Sequence, residues 1–518
     1  MKIRRFYQID TNANVHFHNN VDFCIGTGRM GLALQQEYQE QLKLVQEEIG
    51  FRHIRGHGLF SDDMAIYQEY EDASGNRQVE YNFTYLDLVM DSYQKCGLKP
   101  FLELGFMPAK LASGEQTIFY WKGNTTPPKS YEAWCELVTA TLKHLMERYG
   151  ADEVVTWPVE VWNEPNLSGF WKDADMEEYF KLFQKTFYAV KALDERFRVG
   201  GPAICGVQDE FWIRSFMEFC RREKIAVDFI TRHHYTTEFP ENVGHYGYAA
   251  LLDPKEGFAN LQTTRNIVDS FEEYRGLEIH ITEFNTSYVP NCPLHDTNQN
   301  AAYLALQLSR LGDMNESYSY WTFGDIFEEY GVPFTPFHGG FGLVANGRIP
   351  KPTFWTFKFF RDLEGKCVHK SDDMVVLQKE DGSFCGAAWN WSRTRTGKEL
   401  EIGLRVPADK EEYVLITKIV DEETCNPLRL WHDLGEPSSL SEKQKKLLRE
   451  AANPLITSSR VYPDSRNAEI KLNIREHGMV YFELAPVVTK SDRGYDYKRV
   501  MQLSLIHISE PTRRSYIS

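Results

Sequence analysis

From residue 20 to about 360 the chain alternates short apolar runs with amphipathic helical segments, and few folds accommodate that alternation. The runs are 21–26, 51–57, 99–106, 156–162, 197–203, 227–235, 277–285 and 317–323. Each is rich in β-branched or aromatic residues, and a helical pattern separates it from the next. Leu34, Tyr38, Leu42, Val45 and Ile49 recur at helical spacing, and Gly50 stands at the C-cap position before the second run. Strands that alternate with helices pair in parallel, and eight such units match a closed (β/α)8 TIM barrel better than an open sheet. In such a barrel the chemistry sits at the C-terminal ends of the strands, where the βα loops converge.

Beyond residue 360 the long helices stop. The runs 374–378, 384–392, 399–406, 413–421, 469–474 and 479–486 alternate in the manner of an antiparallel β-sandwich. A small helical insertion near 436–455 interrupts them, with Ser439 and Glu442 as a capping-box pair and Pro454 as the stop. The expected organisation is therefore an N-terminal strand in 1–15 joining the sandwich, a catalytic barrel over 16–360, the sandwich over 361–490 and a tail over 491–518. Residues 503–518 follow no pattern established upstream and read as translated cloning adapter.

Net charge is −16, and no stretch clusters Lys and Arg, so neither nucleic acid nor an anionic membrane is an expected partner. No apolar run approaches the roughly 20 residues of a membrane span, and the N-terminus lacks the apolar core of a secretory signal. The nine cysteines are scattered and odd in number, without a C-x-x-C pair. They read as reduced thiols of a cytoplasmic chain rather than a disulfide or zinc framework.

Two glutamates carry the strongest chemical signal. Glu164 lies in Trp162-Asn163-Glu164-Pro165-Asn166 directly after the fourth run, and Glu283 lies in Ile281-Thr282-Glu283-Phe284-Asn285 at the end of the seventh. Both interrupt apolar strands at the end where a barrel is open. Paired carboxylates without metal-ligand spacing are the equipment of glycoside hydrolysis, and about 5–5.5 Å between them corresponds to double displacement with retention. The bland reading is a pair of structural carboxylates in buried ion pairs; two such sites, each beside an amide or aromatic residue, favour catalysis.

WNEPN, ITEFNTSY, GTGRMGLALQ, RGHGLFSDD, RHHYT and YWTFGDIFEEYGVPFTPFHGGFGL together resemble the β-xylosidases of glycoside hydrolase family 39, over residues 20 to 486. The resemblance implies that Glu164 is the acid/base and Glu283 the nucleophile. It places Asn163 on the sugar 2-hydroxyl, and Tyr235 against the nucleophile with His233 on the same strand face. Trp321 forms a wall under the sugar, while His57, Glu329 and Tyr288 bind glycone hydroxyls. It further implies an exo-acting enzyme on xylo-oligosaccharides, no cofactor or metal, and a homotetramer. Glu164 then needs a raised pKa, with the charge of Glu283 as one cause. An α-L-iduronidase or arabinosidase is the alternative within this chemistry. A carbohydrate-binding module with a decayed site is a further reading, which the retention of both glutamates opposes.

Three motifs compete. Gly26-Thr27-Gly28-Arg29-Met30-Gly31 is a formal dinucleotide fingerprint and would suit a nicotinamide oxidoreductase, but the next strand ends without the acidic residue that holds a ribose. His53 and His57 share a strand face yet lie about 13 Å apart, too far for one zinc ion, and His16 and His18 have no third ligand. His338-Gly339-Gly340 has the form of an oxyanion tripeptide without its serine elbow, and reads as a loop glycine pair. Phe119, Tyr120 and Trp121 serve either as core or as a wall on the leaving-group side.

Overall fold

The computed structural model of the chain describes residues 2–333, 335–487 and 495–502. All eight apolar runs enter one parallel sheet. Its strands are Cys24–Thr27, His53–Gly56, the split pair Lys99–Pro100 and Leu102–Leu104, Val159–Val161, Val199–Ile204, Phe229–Tyr235, Ile279–Asn285 and Ser317–Tyr320; they are numbered one to eight below. Strand three closes the barrel. Phe101 N donates to Ile54 O of strand two at 2.9 Å, and the next residue, Leu102, donates to Pro158 O beside strand four at 2.8 Å. This fits the (β/α)8 expectation, with the helices packed outside. In the first of them, Gln36–Glu48, Tyr38, Leu42 and Val45 are fully buried, whereas Leu34 falls in a preceding turn and is 36% exposed.

Several strands are shorter than their apolar runs for identifiable reasons. In the fourth, Pro158 has no N–H for the ladder and Trp162 turns out of it with a left-handed backbone (φ 72°), so only Val159–Val161 pairs. The GTGRMG glycines are consumed by packing. A Cβ on Gly26 would lie 2.5 Å from the Trp321 ring, and one on Gly28 3.0 Å from Phe327. The closed barrel contains no open half-sheet for a dinucleotide, so the nicotinamide reading is set aside. At the histidine tripeptide, a Cβ on Gly339 (φ +78°) would meet the Cys292 backbone at 2.4 Å, which makes it a close-packed turn.

The appended sandwich has a six-stranded sheet, ordered Lys366–Lys370, Met374–Gln378, Phe384–Asn390, Gly478–Pro486, Tyr413–Val420 and Leu455–Val461. It faces a three-stranded sheet of Lys2–Gln8, Glu399–Pro407 and Asn467–Ile474. Leu400, Ile402, Leu404 and Val406 point inward on alternate positions to meet Ile470, Leu472, Phe482 and Leu484. The first strand pairs in parallel with Glu399–Pro407, Lys2 opposite Glu399, an exception to the antiparallel expectation. Parallel neighbours need a long crossover, and here the whole barrel supplies it.

The helical insertion differs in detail from its sequence reading. The capping box is Ser441 with Gln444, two residues later than Ser439 with Glu442. Leu440 packs against the cluster that contains Trp431 and Leu448, and the helix starts beyond it with Ser441 as the N-cap. A second helix, Pro427–Asp433, precedes it, started by the Asn426 cap and a proline in the first turn. The adapter-like segment 503–518 lies outside the described residues.

Candidate active site

Trp162 begins the turn that presents Glu164. Its left-handed backbone is held by a buried ring that donates from Nε1 to Phe170 O at 2.8 Å and packs edge-on to Trp171. Glu164 is also left-handed (φ 45°), and its N–H donates to Ala203 O of strand five at 2.9 Å. Two sparsely populated conformations in three residues mark a place where packing overrides backbone preference. Asn166 then ties this turn to the next loop, donating to Val207 O at 2.7 Å and accepting from Cys205 N at 3.1 Å.

Glu164 and Glu283 converge at the barrel mouth. The nearest carboxylate oxygens of the two and Nδ1 of His233 all lie within 4.8 Å of one another. His233 Nδ1 stands 2.7 Å from Glu164 Oε1 and 3.5 Å from Glu283 Oε2. Glu283 is held on both oxygens, with Arg55 Nη1 donating to Oε1 at 2.7 Å and the Tyr235 hydroxyl donating to Oε2 at 2.8 Å. Burial pushes the Glu164 carboxyl up to about 7, against the opposing pull of His57 and Arg55. Burial is thus the leading cause.

All nine residues selected from the sequence line one cavity of about 690 Å³. His57 bonds through Nδ1 to Glu103 Oε2 at 2.7 Å and packs its ring 4.6 Å from that of Trp321. Burial lowers His57 and His233 to about 4, so both are neutral near pH 7. Asn163 accepts from Arg55 Nη2 at 2.9 Å. Because a guanidinium only donates, the amide oxygen must face Arg55, which leaves the amide N–H groups for the cavity. Tyr288 stands at the rim, 40% exposed, edge-on to Tyr235. Glu329 makes no side-chain hydrogen bond among the described residues, and burial, then the charges of Glu283 and Glu164, pushes its carboxyl well above the usual range. Of the aromatic trio, Phe119 lines the cavity, Trp121 packs between it and Phe106, and Tyr120 is exposed.

Arg55 is the residue that sequence reasoning missed. Fully buried, it reaches Glu160 at 2.6 Å, Glu103 at 2.9 Å and Glu283 at 2.7 Å. Burial opposes its charge, but the carboxylates of Glu160, Glu103 and Glu283 outweigh that cost. Burial also pushes Glu103 up to about 8, so at neutral pH a proton is held between Glu103 and His57. A signal for this hub existed in the sequence, since strands two, three and four each set a charge between apolar or glycine neighbours (Arg55, Glu103, Glu160). Removing the cation strands these acids in a dry interior. Arg55→Met is expected to cost roughly 3–5 kcal/mol of stability, read as a lowered midpoint in urea unfolding; a loss below 1 kcal/mol would show that the cluster is not held by its cation.

A closed barrel whose mouth brings two glutamates into reach of one sugar bond is the architecture of a glycoside hydrolase, and this protein is one. The family model for Glycosyl hydrolases family 39 matches residues 8–468, and the chain belongs to that family. It is 47% identical over 456 residues to a β-xylosidase of Geobacillus stearothermophilus, covering 87% of this chain and 90% of that one. A β-xylosidase of Caldicellulosiruptor saccharolyticus is 36% identical over 452 residues, covering 83% and 87%. Among solved structures, one described as a monomeric β-xylosidase from Caulobacter crescentus CB15 superposes with a TM-score of 0.85 at 31% identity, covering 93% of this chain and all of that one.

Proposed function

We propose that the protein is a retaining, exo-acting β-xylosidase that releases terminal xylose from xylo-oligosaccharides through a covalent xylosyl-enzyme. The observation that carries this reading is the pair of carboxylate oxygens from Glu164 and Glu283 within 4.8 Å of each other in one buried cavity. That separation suits direct attack and falls short of the roughly 6.5–9.5 Å that inverting enzymes keep for a water beside the sugar. Glu283, held by Arg55 and Tyr235, attacks C1 while Glu164 protonates the departing oxygen. Glu164, now a base, then activates the water that frees the sugar.

His233 sets where the acid proton sits. Its Nε2 is buried without a hydrogen-bond partner among the described residues, so the tautomer that leaves a lone pair there costs less than one burying an N–H. Nδ1–H therefore donates to Glu164 Oε1, and the acid proton is carried on Oε2. Asn163 offers its amide N–H groups to the 2-hydroxyl, and Trp321 offers a ring face to the sugar. His57 and Glu329 are placed for its remaining hydroxyls, with Tyr288 at the rim.

Exo action is supported by loops tied together over the Glu329 side. Arg29 after strand one pairs with Asp63 after strand two and with Glu328 at 2.8 Å, and Tyr120 N donates to Glu329 O at 2.8 Å. An iduronidase would need a cation for the substrate carboxylate. Arg232, the guanidinium that lines the cavity, is already paired with Asp209, the buried Arg55 is paired with Glu283, and Glu329 has the wrong charge. Nine unpaired cysteines, most of them buried, support a reducing, cytoplasmic setting, and no described helix is long and apolar enough to cross a membrane. A homotetramer completes the reading on family resemblance.

Proton NMR of the first sugar released from an aryl β-xyloside tests the mechanism. β-Xylose is the expected first product, and α-xylose would exclude double displacement.

A further inference from the structure

The glycines of His338-Gly339-Gly340, with Gly342 after them, lie beside the chain that carries Trp321. Thr322 donates its N–H to Phe341 O at 3.4 Å, Leu343 N donates to Thr322 O at 3.1 Å and Asp325 N to Val344 O at 2.9 Å, so residues 341–344 run alongside the segment that leaves strand eight. Asn285 of strand seven holds both, donating to Trp321 O at 2.6 Å and to Phe341 O at 3.3 Å. Side chains repeat the connection. The Phe341 ring, on the cavity wall, meets Phe327 edge-on with centroids 5.2 Å apart, and Phe327 meets Trp321 edge-on at 6.0 Å.

A buried ammonium anchors these glycines. Lys351 Nζ, without exposed surface, lies 2.7 Å from both Asp296 Oδ1 and Asp325 Oδ2 and donates to Gly340 O at 2.8 Å. The carboxylates extend that hold, Asp296 Oδ2 accepting from Gly339 N at 2.8 Å and Asp325 Oδ1 from Gly342 N at 2.7 Å. Asp296 Oδ1 and Asp325 Oδ2 accept no hydrogen bond from any other group among the described residues, so their burial depends on the cation. A Cβ on Gly340 would lie 2.3 Å from Asp325 Oδ1, so only glycine leaves the carboxylate its place. Asp296 follows strand seven, and Asp325 follows strand eight midway between Trp321 and Glu329. One cation therefore ties together the two segments that flank the sugar side of the cavity.

We infer that Lys351 is a positioning residue for sugar binding: through Asp296, Asp325 and the 339–342 backbone it sets where Phe341, Phe327 and Trp321 stand, and so how tightly the glycone is held. This rests on the β-xylosidase reading above, in which Trp321 faces the sugar. Glu283 is fixed separately by Arg55 and Tyr235, so loss of the cation acts on sugar binding more than on bond cleavage.

The test is the inhibition constant of free xylose, which reports glycone binding without a chemical step and does not depend on the share of molecules that fold. Lys351→Met should raise it roughly tenfold, less than the hundredfold that a shift of about 1 Å can cost at a reacting centre, with a smaller fall in kcat on an aryl β-xyloside. Lys351→Met combined with Asp325→Asn keeps the net charge of the cluster and serves if the single variant does not fold. Phe327→Leu leaves the cluster intact and interrupts the ring contacts, and should also raise the constant. A xylose constant within about twofold of the unsubstituted value in a folded Lys351 variant, whatever happens to kcat, would reduce Lys351 to a structural role; the same result for Phe327→Leu would remove the route to Trp321, and either overturns the inference. An unsubstituted enzyme that is not inhibited by xylose and does not cleave xylobiose would instead sink the β-xylosidase reading.

Discussion

Glu283→Ala is expected to lower turnover of an aryl β-xyloside by on the order of 10⁵-fold, the scale at which removing a covalent nucleophile removes the pathway it serves. The Glu283 side chain is almost fully buried, and its two oxygens are gripped from opposite sides by Arg55 and Tyr235. Alanine leaves those donors aimed at a small empty space on the α face of the sugar. Azide fits that space, carries the lost charge and is met by the same donors. Added azide should therefore restore part of the activity and yield α-xylosyl azide, identified by the anomeric coupling in its proton spectrum. Recovery of the β-azide, or a loss under tenfold, would remove Glu283 from the role.

Glu164→Ala should discriminate among leaving groups. General acid help is worth roughly 10²–10⁴-fold where the departing oxygen is basic, so methyl β-xyloside or xylobiose should lose that much in kcat/KM. A 2,4-dinitrophenyl β-xyloside, whose leaving group departs unaided, should keep most of its kcat/KM because the first step survives. The pH profile supplies an independent readout. Burial raises Glu164 to about 7, so the group is protonated and able to donate below that value. In the unsubstituted enzyme, kcat/KM is expected to fall as pH rises through about 7, and this alkaline limb should be missing from the variant. Equal losses on good and poor leaving groups, with the limb intact, would assign the acid elsewhere.

Much of the architecture is legible from the chain because an apolar run must be buried whatever else happens. That requirement alone finds every barrel strand and places Glu164 and Glu283 at the open end. What escapes it is long-range polar chemistry. A charge among apolar neighbours at Ile54-Arg55-Gly56 is visible, but nothing local to it says that the guanidinium will meet acids from strands three, four and seven. The cause of the raised Glu164 pKa is hidden in the same way, because sequence names neighbouring charges but not the depth at which a carboxyl lies. Ser439 and Ser441 both satisfy the capping pattern, and nothing local decides that the helix starts from the second. That the first strand joins the sandwich is legible, but its parallel pairing is beyond local reading, because its partner lies on the far side of the whole barrel.

That strand also has a bearing on synthesis. Lys2–Gln8 leaves the ribosome ahead of the barrel, yet its neighbour Glu399–Pro407 is made only after the entire barrel has been translated. Throughout that interval this segment lacks the ladder it will join, and the catalytic half must shape itself before that pairing exists. Docking of those seven residues beside Glu399–Pro407 is thus a late event that reports completion of the C-terminal half.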